Sequence, residues 1–145
     1  MRKRRLCGGV LAAEPRIVIA GAGAIGCFVG GLLAAGGRRV TLLVRPRVAQ
    51  EIRSHGLTLT DFGGMAVQIG TDRLALSEDP ACLARADVVL VTVKSGDTAT
   101  VAELIDQHAP IKAPVISLQN GLRKSVMWTD QHDAGLAIFA TDPVD

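Results

Sequence analysis

The sequence predicts an α/β fold, a doubly wound and mostly parallel sheet flanked by helices, on three observations. Aliphatic runs rich in β-branched residues recur at Arg16–Ala20, Arg39–Val44, Asp87–Val93 and Pro114–Leu118. Such continuous runs suit strands buried on both faces. Segments with helical signals alternate with them, as a parallel sheet requires. Lastly, aromatic residues are only 3% of the 145 while hydrophobic residues are 48%, so the core must be aliphatic. One domain is expected at this length.

The first strand, Arg16–Ala20, runs straight into Gly21-Ala22-Gly23-Ala24-Ile25-Gly26. A helix through Cys27–Ala35 follows, and Gly36-Gly37 end it. Strand, glycine turn and helix form a Rossmann-like dinucleotide-binding unit. Gly21 lets the chain turn off the strand. Gly23 has no Cβ to hold a pyrophosphate away. Gly26 lets the helix lie close on the strand. The helix N-terminus offers unpaired N–H groups and partial positive charge.

Arg39–Val44 is the second strand, and Pro46–His55 a helix opened by proline and stopped by Gly56. Leu57–Thr60 and Met65–Ile69 alternate apolar and polar residues around a glycine turn, predicting a hairpin on the sheet's edge. Leu74–Leu76 is a candidate short strand. Asp79-Pro80 predicts a capped short helix to Ala84. After the Asp87–Val93 strand and the Lys94–Asp97 loop comes a helix over Thr98–His108. Leu136–Ala140 is a candidate last strand.

Ligands of such sheets sit beyond the carboxyl ends of the strands. Arg45 stands there, nineteen residues past Gly26, where an NAD-specific domain carries an acid for the ribose 2′-OH. No Asp or Glu lies between Glu14 and Glu51, whereas Arg16, Arg38, Arg39, Arg45 and Arg47 do. A 2′-phosphate needs a cation with several donors, which a guanidinium supplies. Such a charge-assisted bond contributes about 1.5–3 kcal/mol, a preference for NADP(H) of roughly 10- to 150-fold. Lys94 either caps its strand or reaches the cofactor's phosphate or adenine side. Asn120, in a Gln-Asn-Gly turn, serves either the turn itself or the nicotinamide and substrate as a neutral amide.

Other classes are disfavoured. A net charge of +2 with dispersed basic residues does not suggest nucleic-acid binding. Cys7, Cys27 and Cys82 have no C-x-x-C spacing, and His55, His108 and His132 have no metal-ligand spacing, so neither a disulfide framework nor a metal site is expected. A reducing cytoplasm fits this cysteine usage. No run is long and apolar enough to span a membrane. Residues 1–14 read as a disordered basic extension, with an over-extended start and a signal segment as competing readings. Residues 15–145 form the nucleotide-binding domain.

The chain resembles the N-terminal domain of the ketopantoate reductase (2-dehydropantoate 2-reductase) family. The resemblance rests on Ile19–Gly26, Leu43-Val44-Arg45, Val91–Lys94 and Ser117–Gly121, in that order and spacing. It implies NADPH-dependent reduction of 2-dehydropantoate to pantoate, on the route to pantothenate and coenzyme A. It implies that Gly21, Ala22, Gly23, Ala24, Ile25 and Gly26 hold the pyrophosphate. Arg45 and Lys94 would meet the 2′-phosphate side, and Asn120 the nicotinamide and substrate. The family's general-acid lysine and a ligand-holding glutamate belong to a helical second domain, so no catalytic residue is expected within this chain. Arg123–Trp128 departs from the family pattern. The expected partners are a small keto acid and either a second copy of the chain or the missing helical domain. The alternative is a non-catalytic NADP(H)-binding module, or a truncated remnant, that pairs with another chain.

Overall fold

The structure, a computed structural model, describes residues 14–118 and 137–138. The expected extension lies outside them except for Glu14, whose carboxylate pairs with Arg38. Asn120, Trp128 and His132 also lie outside.

Strand β1 (Arg16–Ala20) leads into helix α1 (Ala24–Ala35). Gly37 ends that helix in the left-handed region at φ +83°. There the Arg38 N–H donates to Leu33 O and the Gly37 N–H to Ala34 O, satisfying carbonyls of the last turn. Strand β2 (Arg39–Leu43) and helix α2 (Pro46–His55) follow, the helix having the predicted bounds. Next come β3 (Leu57–Thr60), β4 (Ala66–Ile69) and β5 (Ala75–Ser77). A 3-10 helix spans Pro80–Arg85, then β6 runs over Val88–Val91. A 3-10 turn (Ser95–Asp97), helix α3 (Thr98–His108), β7 (Val115–Ser117) and β8 (Ala137–Ile138) complete the described elements.

Six strands form one parallel sheet in the order β5-β2-β1-β6-β7-β8. The chain winds outward from β1 to β5, then returns to place β6 on the other side of β1. This reversal makes the carboxyl ends of β1 and β6 a switch point, where a crevice opens.

Alternate residues of β1 serve opposite faces. Ile19 packs with Ala34 of α1 and with Ala49 and Ile52 of α2. Val18 and Ala20 pack with Val101, Ala102 and Ile105 of α3 and with Leu83. The core is thus the aliphatic two-sided one that the composition predicts.

The hairpin differs from expectation. β3 and β4 pair antiparallel as a separate two-stranded sheet. The main sheet's edge is taken by β5, parallel to β2. The hairpin instead lays Leu57 and Leu59 against Gly31 of α1, where an added Cβ would stand 2.8 Å from Leu59 Cδ1. Burying Leu59 and Ile69 on the helix replaces ladder hydrogen bonds to the edge.

The 3-10 helix is held by Asp79, whose Oδ1 accepts from the Ala81 N–H at 2.9 Å. Asp79→Ala is expected to cost about 1 kcal/mol, seen as a lower urea midpoint with unchanged slope.

Candidate functional site

The glycine turn is tied to both strands that flank β1. Gly21 leaves the strand at φ +77°. Its N–H and that of Ala22 both donate to the Leu43 carbonyl at the end of β2, at 3.2 and 3.1 Å. From beyond β6, the Thr92 hydroxyl donates to the Gly21 carbonyl at 3.2 Å. Gly26 lies where α1 touches the sheet: a Cβ there would strike Thr92 Oγ1 and stand 3.2 Å from Ile19 Cγ2.

Gly23 has another setting. A Cβ there would meet nothing within 4 Å. It is the N-cap of α1, which has no side-chain cap and no acidic residue in its first turn. The first N–H groups of a helix have no intrahelical partner and carry partial positive charge. This end of α1 therefore suits an anion approaching over Gly23.

A cleft of about 800 Å³ opens at this point. Gly21, Ala22, Gly23, Ala24 and Ile25 line it, as do Arg45 and Lys94. Five segments distant in sequence thus meet there, including the residues following β2 and β6. Gly26 sits behind the wall, at the helix–strand contact. Arg45 caps α2 by position and is 81% exposed, with Nη2 3.4 Å from Asp97 Oδ2. Lys94 is exposed, and its ammonium has no partner among the described residues. Cys27 Sγ lies 3.7 Å from the Ala22 carbonyl, and burial pushes its thiol pKa up, so it stays protonated beside the turn.

Three residues of the site escape a linear reading. Thr92 looks like another β-branched strand residue, yet it joins the turn to the strand end. Asp97 and Glu78 line the cleft although the segment between the glycines and Arg45 carries no acid. Glu78 is engaged by Arg53 at 3.2 Å. Among the described residues no group of three or more His, Cys, Asp or Glu is placed to hold a metal. None of the described helices is long and apolar enough to cross a membrane.

The helix end without a side-chain cap and the rim that carries Arg45 and Lys94 both present positive charge to the cleft. Comparisons with known proteins identify the family. The family model for the ketopantoate reductases PanE/ApbA matches residues 17–131. The 2-dehydropantoate 2-reductase of Halobacterium salinarum is 34% identical over 127 residues, which cover 87% of this chain and 41% of that protein. A crystal structure of a PanE/ApbA family ketopantoate reductase from Ralstonia eutropha is similar at TM-score 0.75 and 35% identity, covering 85% of this chain and 40% of that one. Glycerol-3-phosphate dehydrogenase from Coxiella burnetii shares the fold at TM-score 0.70 and 19% identity. The chain spans about two fifths of the length of the first of these relatives. Taken with a Rossmann-like dehydrogenase architecture that implies a nicotinamide cofactor, these matches show that the chain belongs to the PanE/ApbA ketopantoate reductase family.

Proposed function

We propose that this chain is the NADPH-holding domain of a cytoplasmic 2-dehydropantoate 2-reductase, residues 15–145, preceded by a basic extension. The carrying observation is the placement of Arg45 on the rim of the cleft that Gly23 leaves open. NADPH, when bound, supplies the hydride for the ketone carbon. The chain's own residues hold and orient. The α1 end receives the pyrophosphate, with Gly21 and Gly26 keeping that end in position. Arg45 and Lys94 neutralise the 2′-phosphate. Asn120, outside the described residues, is assigned to the nicotinamide and the keto acid by its place in the family motif. By the same resemblance, the proton for the new alkoxide comes from the helical domain that follows this one in the family.

Titration with NADPH and NADH tests the cofactor assignment. Arg45 is mostly exposed, so screening discounts its charge. Arg45→Ala should weaken NADPH binding about tenfold at low salt, the lower end for a hydrogen bond to a charged group, and leave NADH unchanged. Equal affinity of the unmutated chain for both cofactors would sink the 2′-phosphate assignment. With ketopantoate and NADPH, followed at 340 nm, the isolated chain should barely turn over; robust turnover would mean that the proton donor lies within it.

A second reading is a non-catalytic NADP(H) module that works by pairing with another chain. It is favoured by α1, where Leu32 (40% exposed) and Ile25 (54%), the latter at the rim of the cleft, lie at either end of Phe28, which packs against the core. A stripe at this spacing is ordinarily covered by a partner surface.

A further inference from the structure

We infer that Asp97 sets the cofactor discrimination of this site by competing with the 2′-phosphate for Arg45. The inference rests on the proposed role of Arg45 as the 2′-phosphate ligand. Arg45 follows β2 and Asp97 follows β6, the two strands that flank β1. Their contact, Nη2 to Oδ2 at 3.4 Å, therefore joins the two sides of the cleft that both residues line.

Asp97 stands at the N-cap of α3 but ends the 3-10 turn Ser95–Asp97 with helical backbone (φ −97°, ψ 0°), not the extended backbone from which a carboxylate caps. Here it makes no cap hydrogen bond. Its carboxylate is turned to Arg45 instead. The other carboxylate of the cleft, Glu78, is held by Arg53. The Asp97 N–H donates to the Lys94 carbonyl at 3.0 Å, so one tight turn carries both the free ammonium and the competing carboxylate.

A guanidinium binds phosphate best through two parallel N–H donors. Asp97 occupies one end of that fork. An arriving 2′-phosphate must displace it. A ribose 2′-OH carries no charge and can donate to the same carboxylate. Asp97 thus does, from beyond β6, what an acid after β2 does in NAD-specific domains. The result is a site that takes NADPH first but whose preference is held down.

The test is fluorescence titration of the purified 145-residue chain with NADPH and with NADH, for the unmutated protein, Asp97→Asn, Arg45→Ala and the double variant. Asparagine is as good an N-cap as aspartate, and thermal melts followed by circular dichroism check that α3 is intact. Asp97→Asn should tighten NADPH about two- to fivefold at low salt, the scale of an exposed charge pair, and leave NADH equal or weaker. The gain should shrink in 0.5 M salt, where the Debye length falls to a few ångströms. It should also vanish when Arg45 is already alanine. An unchanged or smaller NADPH/NADH ratio in Asp97→Asn overturns the inference, as does a gain that persists without Arg45. If Arg45→Ala abolishes the preference while Asp97→Asn does not widen it, only the role of Asp97 falls. If Arg45→Ala leaves the ratio unchanged, the reading of Arg45 falls first, and Asp97 with it.

Discussion

Gly21→Ala should strongly destabilise the fold. Two costs add at this residue. Its φ of +77° is left-handed backbone, which costs an L-residue about 1–2 kcal/mol. The new Cβ would also lie inside the Val93 side chain, overlapping Cγ1. Forcing atoms into a packed site typically costs about 1–3 kcal/mol more. The sum, about 2–5 kcal/mol, is a large share of the roughly 5–15 kcal/mol that holds a domain together. In a thermal melt this is a fall of roughly 6–20 °C. The two costs can be separated. In a Val93→Ala background the overlap is relieved and the backbone strain is not, so the added cost of Gly21→Ala should shrink by about half. A melt within 2 °C or so of the parent would show that the turn does not anchor β1, β2 and β6 together.

The turn illustrates which features a linear reading can reach. Gly21 and Gly26 were interpretable because their roles are local: a sharp exit from a strand, then a helix close to that same strand. Helix α2 kept its predicted bounds because Pro46 opens it and Gly56 closes it, each by backbone chemistry within one residue. Arg45 and Lys94 were found because a residue that follows a strand in a parallel sheet faces the same edge whatever the strand order. The hairpin's strands were equally readable, but not their place. Leu57 and Leu59 need a surface, and the one they take exists only because Gly31 lacks a side chain on α1. Asp97 is the harder case. It lies fifty-two residues from Arg45, and their meeting depends on β2 and β6 flanking β1, a long-range property of the winding. Thr92 was missed for the opposite reason. Its methyl makes it an ordinary strand residue, and only the fold gives its hydroxyl the Gly21 carbonyl.

Gly23→Val should have the reverse signature of Gly21→Ala: near-native stability with cofactor binding lost. The backbone at Gly23, φ −85° and ψ −152°, is extended, so a side chain is admitted without left-handed strain. Space is not the obstacle either, because an added Cβ would meet nothing within 4 Å. The main folding cost is the poorer cap that valine makes, under about 1 kcal/mol. The same open space is where the proposed pyrophosphate must lie against the first N–H groups of α1. Valine's methyls there would hold a phosphate oxygen out of hydrogen-bond range. Each charge-assisted bond lost costs about 1.5–3 kcal/mol, so losing one weakens NADPH by roughly tenfold or more and losing two by roughly 100-fold or more. NADH should suffer equally, since the pyrophosphate is common to both cofactors, and this separates the turn from Arg45, whose effect falls on NADPH alone. Gly23→Ala, with one carbon in place of three, should fall between. Unaltered NADPH affinity in Gly23→Val would mean that the pyrophosphate does not cross this turn, and the helix end would then need another occupant.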